Sequence, residues 1–90
     1  MELNSELDRL QKYLPIEIEL NKAIKKHPNF PKDINKQTAI VSEEAGEVAK
    51  AVLHYQDENG SLEDVRKELL HTAAMCIRMI TALEDICKMK

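Results

Sequence analysis

Aromatic residues are nearly missing from this 90-residue chain, which has one Phe, two Tyr and no Trp. Any core must therefore be aliphatic and built partly on methionine. Glycine occurs twice and proline three times, with no proline beyond Pro31. So few turn residues argue against many short strands and for long helices. No stretch approaches the roughly 18 apolar residues of a membrane span. There is no basic tract and the net charge is −3, which argues against a nucleic-acid groove. Cys76 and Cys87 form no CxxC pair and read as reduced thiols packed in a helical pattern. The opening "MELNSELDRLQKYL" carries acids and lacks an apolar run, unlike a signal peptide. A cytoplasmic protein is expected.

Hydrophobic residues make up 43% of the chain and charged residues 32%, the balance of a folded chain rather than a disordered one. The length fits one small domain over residues 1–90. Such a chain buries only a modest core alone, so a homodimer or homotetramer is expected.

Ser5 and Asp8 suit the start of a first helical segment over 5–13. Pro15 either kinks it or opens a second segment that runs to His27. "HPNFPKD", with two prolines, is a loop. Asp33 suits the N-cap of a helix over 34–56. "DENG" is a turn, and Ser61 with Asp64 caps a last helix over 62–88. The fold class is all-α: a long antiparallel helix pair preceded by N-terminal helical segments.

Three glutamates in "IVSEEAGEVAKAVLHYQ" sit among apolar residues. At about 100° per residue from Ile40, Glu44 falls near 40° and Glu47 near −20°. Both lie at or inside an arc that holds Val41, Ala45, Val48, Ala51 and Val52. Glu43, near −60°, joins Lys36, Lys50 and His54 on the polar flank. In the last helix Glu68 shares a stripe with Met75, Met79 and Ile86, each within about 20°. His71 stands at its edge with Asp64 and Arg78. Folding the two helices back on each other brings Glu44, Glu47, Glu68 and His71 to one level.

An unpaired buried carboxylate costs several kcal/mol. A domain of this size has roughly 5–13 kcal/mol of stability in total. Some group must compensate. Lysines or arginines of a partner helix, shared protons, solvation at a bundle edge, or a divalent cation would each serve. Ligands spaced i, i+3 on facing helices are how helical bundles build metal sites. Gly46, a mid-helix glycine, offers room for a close neighbour or is a neutral substitution.

The pattern Glu43-Glu44-x-x-Glu47, followed by Glu68-x-x-His71, resembles the MazG-like all-α nucleoside triphosphate pyrophosphohydrolases, whose signature is EExxE, a spacer and ExxD. "EEAGEVAKA" and "KELLHTAAMCIRMI" extend the resemblance, which covers residues 27–83. It implies hydrolysis of a nucleoside triphosphate between the α and β phosphates, releasing a nucleoside monophosphate and pyrophosphate. It implies Mg²⁺ or Mn²⁺ on Glu44, Glu47 and Glu68, with position 71 as the fourth ligand. Glu43 becomes a water-positioning group or general base, and Glu44 shares the catalytic position. His71 stands where the family has Asp and offers a neutral nitrogen instead of an anionic oxygen. Lys50 and Arg78 lie on the flanks of Glu43 and His71, open to a substrate phosphate or simply solvated. Phe30 suits loop packing better than base stacking. Two other readings remain: a carboxylate-bridged di-iron or di-manganese protein, since Glu-x-x-His recurs in such bundles, and a non-enzymatic helical interaction module.

Overall fold

A computed structural model describes residues 2–89. They form three helices, α1 (Glu2–Lys26), α2 (Ile34–Asp57) and α3 (Leu62–Met89), and no strand is present among the described residues. The all-α class is as expected, and the ends of α2 and α3 fall within about one residue of those read from sequence.

The first helix differs from expectation. Pro15 lies inside α1, which continues through it without a break, and Ser5 is likewise interior. Proline removes the N–H that would bond the carbonyl of Gln11. Every side chain from Ser5 to Leu14 is exposed, so water can reach that carbonyl. An exposed helix tolerates the loss where a packed one would not.

The connections follow the sequence closely. The carboxylate of Asp33 accepts from the Asn35 amide at 2.9 Å and caps α2. One helical turn later, Gln37 is fully buried, and its Nε2 donates to the Pro31 carbonyl at 2.8 Å. That bond ties the loop to α2. Between α2 and α3, Asn59 takes a left-handed φ of 60°, a conformation asparagine tolerates better than most residues. Gly60 then turns back against α2, its amide donating to the His54 carbonyl at 2.8 Å. A Cβ at Gly60 would meet the backbone of His54 and Tyr55 at 2.9 Å, so only glycine fits there. The Ser61 hydroxyl accepts from the Asp64 amide at 3.1 Å and opens α3.

The third helix holds the fold together. It packs along α2 on one side and α1 on another, while the α1 and α2 backbones stay apart. A groove therefore runs between α1 and α2 with α3 as its floor. Apolar burial is slight. Ala74 is the one fully buried hydrophobic residue among those described, beside the polar Gln37 and Arg78. Leu10, Leu14, Leu53, Leu62, Leu69 and Ile80 are each at least half exposed. The radius of gyration is 15.6 Å, against about 12 Å for a compact domain of this length. The accessible surface is 7247 Å², about 1,900 Å² more than a compact monomer of this mass presents.

Gly46 faces open space, with nothing within 4 Å of a Cβ placed there. No element among the described residues uses the room it leaves. No helix among the described residues is long and apolar enough to cross a membrane.

Candidate metal centre

Polarity placed against an apolar stripe singles out the site. Glu68 lies on the α3 face that turns toward α2, and His71 follows one turn later. Glu44 meets them from α2. Ligand atoms of Glu44, Glu68 and His71 all lie within 4.8 Å of one another, and all three residues are half-buried. The Nδ1 of His71 is 3.6 Å from Glu68 Oε2. The α3 backbone beneath is regular, and Thr72 returns its hydroxyl to the Glu68 carbonyl at 2.8 Å.

Burial holds the Glu44 carboxyl above its ordinary value of 4.5. The nearby His71 opposes that rise, while Glu68, Glu43 and Glu47 add to it. The cluster is thus crowded with negative charge. Among the described residues, neither Glu44 nor Glu68 is paired with a lysine or arginine.

Other residues singled out from sequence take different places. Glu43 is exposed beside Glu44. Glu47 is exposed and stands outside the three-residue group. It lines a second, shallow groove with Lys50, His54, Asp64, Lys67 and Glu68. Glu68 and Lys50 thus line this second groove, while Glu44 and His71 line the one that faces α1.

Arg78, read from sequence as open to a substrate phosphate or simply solvated, is not solvated: it lines the groove with Glu44 and His71, and the fold engages its guanidinium. It is only 8% exposed. Its guanidinium donates to the carbonyls of His27 at 2.7 Å and Ala23 at 3.5 Å, at the C-terminal end of α1. It also lies over the Phe30 ring, 4.9 Å from the centroid. A cation at a helix C-terminus satisfies carbonyls that lack intrahelical donors and opposes the helix dipole. Phe30 accordingly has a packing role.

The first helix brings residues that the sequence reading missed. Glu19 Oε2 lies 3.3 Å from His71 Nε2. Its other oxygen, Oε1, lies 3.4 Å from Lys22 Nζ. Glu19, Lys22, Ala23 and Lys26 line the groove opposite Glu44, with His71 and Ala74 on the floor. The groove has a volume of about 390 Å³, within the range of small-molecule sites. Their i, i+3, i+4, i+7 spacing in "EIELNKAIKK" marks one helix face, a signal available in the sequence.

The arrangement is a trio of two carboxylates and an imidazole at one side of an open groove, faced by lysines. It can hold a hard or borderline divalent cation beside an anionic ligand. No protein-family model matches the chain, and no curated protein or solved structure shows significant similarity to it.

Proposed function

We propose that this protein is a metal-dependent nucleoside triphosphate pyrophosphohydrolase, cleaving between the α and β phosphates to release a nucleoside monophosphate and pyrophosphate. The observation that carries the reading is the meeting of Glu44, Glu68 and His71 within 4.8 Å, at a groove also lined by Lys22 and Lys26. The resemblance of the EExxE and ExxH segments to MazG-like enzymes supplies the reaction.

The donor set suits the cation. Carboxylate oxygens accept magnesium or manganese, and imidazole suits manganese better than magnesium. Burial lifts the Glu44 carboxyl first and the neighbouring carboxylates add to it, and a divalent ion would relieve that second contribution. Glu44, Glu68 and His71 would hold the metal, and the resemblance adds Glu47 from the neighbouring groove. When bound, such an ion clamps phosphate oxygens and lowers the pKa of a coordinated water. The protein's own groups do the rest. Glu43, beside Glu44, would orient the attacking water or take its proton. Lys22 and Lys26 on α1, and Lys50 on α2, would draw the phosphates in against the acids.

We also infer an antiparallel α2–α3 pair, supported by the short Glu58–Ser61 connection and by contact of Glu44 with residues 68 and 71. A homodimer or homotetramer is supported by the excess surface of about 1,900 Å², on the scale of one subunit's share in an obligate interface.

The test is pyrophosphate release over canonical and modified nucleoside triphosphates, with Mg²⁺ and with Mn²⁺. Release of pyrophosphate that disappears in Glu68→Gln is expected. Orthophosphate as the sole product, or no turnover of any triphosphate by protein that binds Mn²⁺, would refute the assignment.

A further inference from the structure

The His71 imidazole is bracketed by two carboxylates from different helices. On one side Glu19 Oε2 of α1 stands 3.3 Å from Nε2. On the other, Glu68 Oε2 of α3 stands 3.6 Å from Nδ1. A neutral imidazole carries a single N–H and a single lone pair. Only one of these carboxylates can receive a proton from it, and the other must face the lone pair. The shorter contact is at Nε2. Glu19 is also held in place by its second oxygen, 3.4 Å from Lys22 Nζ.

We propose that Glu19 is a positioning residue for the metal centre: it accepts the Nε2–H of His71, fixes that tautomer, and so leaves the Nδ1 lone pair on the side of Glu68. This rests on the metal site of the proposed function and assigns α1 a part in it. Metal-ligating histidines almost always donate their other ring N–H to a carboxylate or carbonyl, which orients the ring and raises its basicity. Here the fold supplies that carboxylate before any ligand arrives. On the far side, an Nδ1 lone pair 3.6 Å from a carboxylate oxygen is repulsive by itself. A cation between the two converts the repulsion into shared ligation. Glu44 adds an oxygen within 4.8 Å of a Glu68 oxygen and of one ring nitrogen of His71, which makes three donors in one cluster. None of the three comes from α1, so Glu19 acts through His71 rather than on the ion.

Long-range ¹H–¹⁵N correlation spectra of metal-free, ¹⁵N-labelled protein at about pH 8, where an ordinary histidine is neutral, report the tautomer directly. The expected spectrum places the His71 proton on Nε2. Glu19→Ala should give a mixture of tautomers. Glu19→Gln keeps a carbonyl oxygen as acceptor and should retain the Nε2–H form. Mn²⁺ binding, read from the loss of the free-ion signal in electron paramagnetic resonance, should weaken about 10–100-fold in Glu19→Ala and less in Glu19→Gln. An Nδ1–H tautomer or a doubly protonated ring in the unsubstituted protein would overturn the proposal. So would Glu19→Ala binding Mn²⁺ as tightly as the unsubstituted protein while Glu68→Gln binds it weakly. If the unsubstituted protein binds no Mn²⁺, the metal reading fails and this inference with it. An Nε2–H spectrum beside that result would show that the metal site, not the Glu19–His71 pairing, was at fault.

Discussion

Arg78 offers a sharp test because its surroundings define what it contributes. Replacing it with methionine keeps an unbranched side chain and deletes the guanidinium. The bond to the His27 carbonyl at 2.7 Å is charge-assisted, a class that contributes about 1.5–3 kcal/mol. The 3.5 Å approach to the Ala23 carbonyl is too long to add much. That carbonyl also accepts from the His27 amide at 2.8 Å, so it would not be left bare. Stacking on Phe30 adds about 0.5–1 kcal/mol. Set against these is the relief of no longer burying a charge, and the His27 carbonyl, on an exposed residue, can turn to water. The expected net loss is therefore near the low end, about 2 kcal/mol, in a domain with roughly 5–13 in all. Urea unfolding at one fixed protein concentration reads this loss. Arg78→Lys should lie between, since lysine keeps the charge and loses the planar fork. A double-mutant cycle with Phe30→Leu should return a coupling of about 0.5–1 kcal/mol. A change below about 0.5 kcal/mol in Arg78→Met, the range of ordinary surface substitutions, would sink this account. If pyrophosphate release were lost at the same time, Arg78 would return to the substrate phosphates.

Divalent ions should stabilise the fold by RT ln(1 + [L]/Kd), about 2.7 kcal/mol at a hundredfold excess over Kd; a melting temperature unmoved by Mn²⁺ up to roughly millimolar levels, or a response unchanged in Glu68→Gln, would count against the site. His71→Asp restores an anionic oxygen and should raise magnesium-dependent turnover while narrowing any manganese advantage, and metal profiles identical to those of the unsubstituted protein would remove His71 from the ligand set. The Glu44 carboxyl is raised above 4.5 in the fold, mainly by burial, so the folded state holds this proton more tightly than the unfolded chain does. Metal-free protein should therefore gain stability relative to Glu44→Gln as pH falls through the window just above that value and lose it as pH rises out of the window; the opposite slope in paired thermal melts would show Glu44 to be favourably paired as an anion. Sedimentation should show an oligomer at micromolar concentration, and Leu69→Glu or Ile80→Glu, both on exposed apolar positions of α3, should shift it toward smaller species; a folded monomer in the unsubstituted protein would refute the assembly.

What could be read from the sequence depended on whether a residue disagreed with its helix. Glu44 and Glu68 stood out because each interrupts an apolar stripe, and His71 because it follows Glu68 by one turn. Those are the three residues the fold brings together. Caps and turns were legible for a similar reason: Asp33, Gly60 and Ser61 satisfy local backbone needs that depend on few distant contacts. Glu47 also lay on the arc, yet it is exposed beside Lys50 and Asp64. A helical wheel ranks directions around an axis but cannot say where along a groove the neighbouring helix stops covering it. The bonds of Arg78 to the end of α1 were not legible, because a flank position says nothing about which helix end packs against α3. The miss at Glu19 has a deeper cause. Polar residues are informative only against a well-defined stripe, and in α1 the half-buried face of Ile16, Leu20 and Ala23, where Glu19 lies, competes with a larger exposed apolar set. Leu7, Leu10, Tyr13, Leu14 and Ile18 are all exposed, and α1 packs against α3 alone. Its Glu19–Lys22–Lys26 face therefore looked like ordinary solvated charge. A helix with more apolar residues than its own chain covers offers two candidate faces, and the sequence alone does not say which of them packs. The same exposed leucines that argue for a second subunit thus mask the Ile16–Leu20–Ala23 face on which Glu19 lies.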